Sequence, residues 1–197
     1  WDIRDGAAKA WDLSADLIAQ LRGNDRTPRW SPDGKYIVTS RNKKVSIWNL
    51  SNKIPVTTAI LKSKNQINRA NWSPDGKYVV TSARNSVLIW DKSGKQLARF
   101  PGHSDVIHNA NFSPDGQKII TASADKTTRV WDISGKQLLL LRGHQEGVEY
   151  AAFSPNGKYI FTTTHNKETK IWSNSGKLIS TFNAKGAIWS PNSKYIM

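Results

Sequence analysis

Short apolar stretches with polar residues at alternate positions recur along the whole chain. None holds the three-to-four-residue spacing of a helical stripe over a useful length. One stretch shows the pattern. An apolar run over 106–112 meets Ser-Pro-Asp-Gly at 113–116, where Pro presets φ and Gly accepts a positive one. A second run follows at 118–123, a tight turn leads into a third at 127–131, and Ser-Gly-Lys at 134–136 turns the chain into a fourth at 137–141. Each run has 4–7 residues and is rich in Val, Ile, Thr and aromatics, which predicts strands. The pattern therefore predicts units of four short antiparallel strands and an all-β chain.

The unit repeats. Ser-Pro-Asp-Gly stands at 31–34, 73–76 and 113–116, followed by Ser-Pro-Asn-Gly at 154–157 and Ser-Pro-Asn-Ser at 190–193. Trp48, Trp90, Trp131 and Trp172 keep steps of 42, 41 and 41 residues, and Gly-His recurs at 102–103 and 143–144. A four-stranded unit on a 40–45-residue period is the sequence pattern of a propeller blade. The chain resembles the WD-repeat family through Gly102-His103, Asp125, Trp131-Asp132, Gly143-His144 and Trp11-Asp12, beside the Ser-Pro-Asp-Gly turns. Trp1-Asp2 has the same letters, but residue 1 falls in the second strand of its repeat, in register with Thr121.

The resemblance implies a β-propeller of four-stranded antiparallel blades, about 4–5 of them present, forming one domain. The units are a partial blade at 1–22, blades at 23–62, 63–101, 102–142 and 143–182, and a partial blade at 183–197. The first strand near 186–189 could complete the blade of 1–22 in a five-bladed ring. Residues 194–197 would then compete with 1–4 for one place, which favours a fragment of a larger, bacterial-like propeller of seven or eight blades.

Composition narrows the chemistry. The 197 residues are 38% hydrophobic and include nine Trp, enough for a real core and too many aromatics for disorder. With no Cys, disulfide frameworks and thiol catalysis are excluded, and a reducing cytoplasm is the expected compartment. No apolar run approaches the roughly 18–20 residues of a membrane helix, so no membrane partner is expected. His103, His108, His144 and His165 lack ligand spacing, the glycines stand singly in turns, and paired carboxylates do not recur. No metal, no cofactor and no enzymatic activity are expected.

WD repeats often hold a buried chain of His, Ser or Thr, Asp and Trp. His103, Thr121, Asp125 and Trp131 match it residue by residue, and a structural network outweighs a catalytic one. The next repeat offers His144, Thr162, Asn166 and Trp172, a partial tetrad whose Asn would keep the network without its charge. The two earlier repeats keep Thr39 with Trp48 and Thr81 with Trp90. They place Lys43 and Asn85 at the Asp positions and Asn24 and Ser63 at the His positions, so these blades should be less rigid.

The net charge of +14 favours anionic partners. In this family the loops joining fourth to first and second to third strands share a rim that partners use. In the two irregular repeats those loops carry Arg22, Arg26, Arg29, Arg41, Lys43, Lys44, Lys62, Lys64 and Arg84, opposed only by Asp25; the corresponding later loops are mixed in sign. No aromatic stands among them, which weakens a nucleic-acid reading. Trp30, Trp72, Phe112, Phe153 and Trp189 share one repeat position and are expected in the core between blades. The expected function is a non-catalytic scaffold binding other proteins with acidic segments, a module of a larger signalling or regulatory chain. The alternatives are anion or nucleic-acid binding through the basic loops, and a sensor propeller for an enzyme domain outside this sequence.

Overall fold

The computed structural model describes residues 7–11, 17–22, 26–51, 56–184 and 188–196, and at 7–11, 17–22, 26, 27 and 56 the backbone only. Trp1, Asp12, Asn24 and Asp25, used above for register and charge, lie outside the described residues.

An antiparallel pair, β1 (Ala7–Trp11) and β2 (Leu17–Arg22), comes first. Four antiparallel four-stranded sheets follow, each in simple up-and-down order. Blade I is β3 (Arg26–Trp30), β4 (Tyr36–Arg41), β5 (Lys44–Asn49) and β6 (Val56–Lys62). Blade II is β7 (Ile67–Trp72), β8 (Tyr78–Ala83), β9 (Ser86–Asp91) and β10 (Gln96–Pro101). Blade III is β11 (Ile107–Phe112), β12 (Lys118–Ser123), β13 (Thr128–Asp132) and β14 (Gln137–Leu141). Blade IV is β15 (Val148–Phe153), β16 (Tyr159–Thr164), β17 (Glu168–Ser173) and β18 (Leu178–Asn183). Beyond it, Trp189 and Ile196 form a single antiparallel bridge. The chain is all-β and built of propeller blades.

The turns show why the motifs repeat. In the first hairpin Ser31 N–H donates to Tyr36 O at 2.8 Å and Gly34 N–H to Ser31 O at 3.0 Å. Asp33 Oδ1 accepts from the Ser31 hydroxyl and from Lys35 N–H, and Gly34 takes φ +68°. The same bonds return at Ser73–Tyr78 and Ser113–Lys118, and with Asn156 in place of Asp at Ser154–Tyr159. The Asp after the Trp caps the second turn at the same end of the blade: Asp132 Oδ1 accepts from Ser134 N–H, the Ser134 hydroxyl and Lys136 N–H. These are local side-chain caps on tight turns, so they read directly in the sequence.

The core lies between blades. Val45, Ile47, Ala59 and Leu61 of blade I pack on Leu88 and Trp90 of blade II. Val80, Val87, Ile89 and Phe100 of blade II pack on Trp131 of blade III. Ile120, Val130 and Leu141 of blade III pack on Trp172 of blade IV. A register shift stands beside Trp48, Trp131 and Trp172, and such a bulge re-aims the side chain next to it. Of the aromatics before Ser-Pro, Trp72 and Phe153 are buried and Phe112 and Trp189 half-buried. Trp30 is 39% exposed, against the expectation that it is core.

Candidate functional site

Blade III carries a complete buried chain. His103 Nδ1 lies 2.7 Å from Asp125 Oδ2 and His103 Nε2 2.7 Å from Thr121 Oγ1, while Trp131 Nε1–H donates to Thr121 Oγ1 at 3.1 Å. Asp125 also accepts from Ser104 N–H and from the Thr127 hydroxyl. Burial opposes ionisation of Asp125, but the bonds from Thr127 and His103 outweigh it and hold its pKa at about 2. Burial pushes the imidazole below its ordinary value against the pull of Asp125. The ring is therefore neutral: Nδ1–H donates to the carboxylate and Nε2 accepts from Thr121, the tautomer this bonding pattern assigns. Gly102 precedes the ring because a Cβ there would lie 2.7 Å from Trp131 Cη2. The His103 side chain is fully covered, so it offers a substrate no surface.

Blade IV repeats this with a different carboxylate. His144 Nε2 lies 2.7 Å from Thr162 Oγ1, and Trp172 Nε1–H donates to Thr162 at 2.9 Å. Nδ1, however, meets Glu168 Oε2 rather than Asn166. The expectation that Asn166 carries an uncharged network is corrected. Glu168 occupies the repeat position of Thr127, and its longer side chain reaches the imidazole from there. Its other oxygen holds Lys170 Nζ at 2.8 Å, a lysine only 7% exposed that also donates to Thr181. Burial opposes the charge on Glu168, yet Lys170 and His144 pull its pKa below the ordinary carboxylate value. Lys170 escaped the sequence reading; its signal is a charged residue two positions before the repeat Trp, on a strand face that faces the preceding blade.

Blades I and II keep the Trp–Thr half. Trp48 Nε1–H donates to Thr39 and Trp90 Nε1–H to Thr81, each at 2.9 Å. Their turns swing outward, with Asn42 at φ +52° and Arg84 at φ +53°, and their carbonyls take the first amide of the next inner strand: Asn42 O from Ile67 N–H, Arg84 O from Ile107 N–H, both at 2.6 Å. Ser63 N–H donates to Lys43 O at 2.8 Å, so the loop that carries Lys64 is tied to the turn that carries Lys43.

Six of the nine cations singled out by sequence share this rim. Arg41, Lys43, Lys44, Lys62, Lys64 and Arg84 are all exposed. Arg41 pairs across the ladder with Lys44, and Lys44 with Lys62, so three like charges stand in one cross-strand row. No carboxylate of the described residues pairs with any of the six. Arg22 and Arg26 are described in backbone only, Arg26 opposite Ser40. Arg29 is a correction: it pairs with Val38 and adjoins Trp30 and the Ser-Pro turn, at the other end of β3. The loops themselves hold no aromatic, but one strand residue stands near the row. Trp48 is half-buried and lines a groove of about 730 Å³ together with Arg41, Lys43, Lys44, Ile60 and Gln66. Residues 44, 46 and 48 alternate onto one face of β5, so the Trp shares the cations' face although it is four residues inside the strand.

Among the described residues no group of three His, Asp or Glu could hold a metal ion, and no helix is long and apolar enough to cross a membrane. Residues 94–132 and 135–173 match the family model described as WD domain, G-beta repeat. Residues 5–101, which include the cation row, match the model described as eukaryotic translation initiation factor eIF2A. No curated protein matches the chain.

Proposed function

Because residues 94–132 and 135–173 match WD repeats, which generally mediate protein interactions, we propose that the chain is a non-catalytic scaffold that captures an acidic segment of a protein partner on the rim of blades I and II. The row Arg41–Lys44–Lys62 carries this reading. Like charges directly opposite in a sheet are destabilising, and a partner that supplies carboxylates reverses the sign of that interaction. The bond from Ser63 N–H to Lys43 O ties together the two loops that flank the row.

The test is titration with a fluorescent ten-residue polyglutamate peptide at two salt concentrations. Binding should weaken with salt, and Arg41→Glu with Lys43→Glu should weaken it by about tenfold or more. Unchanged affinity in the double variant removes the rim from the function.

A second reading, single-stranded nucleic acid, is favoured by Trp48 beside the cations and by the match of 5–101 to a translation initiation factor family. A base stacking on an indole adds about 1–3 kcal/mol. Oligouridine binding with a log–log salt slope of about −0.7 per phosphate, weakened by Trp48→Leu while polyglutamate binding is not, would select this reading.

A further inference from the structure

At the rim opposite the cation row the inner strands of all four blades end side by side and border an open cavity of about 360 Å³. That volume falls in the range of small-molecule pockets, roughly 300–1,000 Å³. Each blade contributes an aromatic ring to its wall: Trp30, Trp72, Phe112 and Tyr150. The polar lining comes from the position before the aromatic, Arg29 in blade I, Asn71 in blade II and Asn111 in blade III.

Bond accounting separates these three. Asn71 Nδ2 donates to Ala110 O and to Asn111 Oδ1, both at 2.8 Å. Asn111 Nδ2 donates to Asn109 Oδ1 and to Ala151 O, both at 3.0 Å. The two Nδ2 groups are thus spent on tying blade II to III and III to IV, and they hold the walls in place. Arg29 is different. It is exposed, its one side-chain bond is to the carbonyl of Pro28 at 3.3 Å, and no carboxylate of the described residues pairs with it. Among the described residues no Asp or Glu lines the cavity.

Flat apolar walls, one uncompensated guanidinium and no opposing acid specify a ligand. We infer that this cavity binds a small planar aromatic carboxylate, with its ring against the aromatic walls and its carboxylate on Arg29. Aromatic rings favour offset or edge contacts with one another, and a guanidinium fork matches the two oxygens of a carboxylate. Arg69 holds its guanidinium over the Tyr150 ring, 5.9 Å from the centroid, and does not itself line the cavity, so Arg29 is the lining cation and a polyanion is a poor match. The site is independent of the cation row: it lies on the other rim and uses none of the same residues.

The test uses 1-naphthoate and its neutral counterpart 1-naphthalenemethanol on the full chain, by calorimetry and by ligand-observed NMR. Naphthoate should bind at least about tenfold more tightly than the alcohol. Arg29→Gln should abolish that preference and leave alcohol binding in place, with circular dichroism unchanged because the Arg29 side chain bonds only the neighbouring Pro28 carbonyl. Arg41→Glu with Lys43→Glu should leave both ligands unaffected. Three results overturn the inference: no saturable naphthoate binding, a preference that survives Arg29→Gln, or a preference that vanishes in the Arg41/Lys43 variant, which would place the carboxylate on the basic rim.

Discussion

A buried imidazole must donate through one nitrogen and accept through the other, so His103 and His144 each need an acceptor at Nδ1. Asp125 and Glu168 supply it from turn positions two residues apart in the repeat. Removing either leaves a buried donor unpaired. Asp125→Ala should cost about 1–3 kcal/mol, and Glu168→Ala a comparable amount because Lys170 also loses its counter-charge. Asn166→Ala, at an exposed position, should stay within about 0.5 kcal/mol. Thermal melts of the three variants check the ranking, and an Asn166 effect as large as the others would return that residue to the network. The pH dependence has a definite sign. Asp125 is depressed in the fold from 3.8 to about 2, so its contribution is full above the unfolded value and is lost as pH falls through the folded one. His103 and His144 are also depressed, by burial. Below their ordinary value near 6.5 the unfolded chain takes up protons that the folded one refuses, so stability also falls there. Melting temperature should therefore drop on acidification below about pH 6.5, and Asp125→Asn should flatten the lowest part of that curve.

Among elements, the turns and cross-strand rows decide most. Gly102 is held against Trp131 at φ +155°, whereas Gly157 at φ +69° has open space where a Cβ would go. Gly157→Ala should cost only the left-handed penalty, about 1–2 kcal/mol. Gly102→Ala adds a clash with a buried indole and should cost about 1–3 kcal/mol more, read by denaturant melts of both. The row Arg41–Lys44–Lys62 makes the opposite kind of prediction. Lys62→Glu places an opposite charge beside Lys44 and should stabilise the chain by about 0.2–1 kcal/mol while weakening polyglutamate binding. A destabilised Lys62→Glu variant would mean that the row carries no repulsion and that the argument for an anionic partner fails. Such a trade of stability for binding is expected where a surface is shaped by its partner.

Over the whole molecule, each junction between blades is an apolar face of one sheet set on the Trp of the next. Blades III and IV add a charged, buried network to that packing; blades I and II share the Trp–Thr bond but hold no His. Amide hydrogen exchange should be slower in β12, β13, β16 and β17 than in β4, β5, β8 and β9, and equal protection would show that packing alone sets blade rigidity. The two less braced blades carry the unpaired cations, so surface charge and internal bracing vary in opposite directions along the stack.

The repeat period, the turns and the strands are legible in the sequence because each rests on local chemistry: Pro and Gly dihedrals, a side chain capping its own turn, alternation on a pleat. His103, Thr121, Asp125 and Trp131 were legible for a related reason, since one repeat matches the family pattern residue by residue. Three features required the tertiary structure. Glu168 displaces Asn166 because side-chain length, not alignment, decides which carboxylate reaches His144. Arg29 leaves the basic rim because its rim follows from where β3 pairs and ends, which spacing from a motif does not state. The cavity beside Trp30, Trp72, Phe112 and Tyr150 exists only where four blades converge. Local order follows from neighbouring residues, whereas the walls of the cavity are tied by contacts between residues some forty positions apart, and those exist only once the blades have stacked.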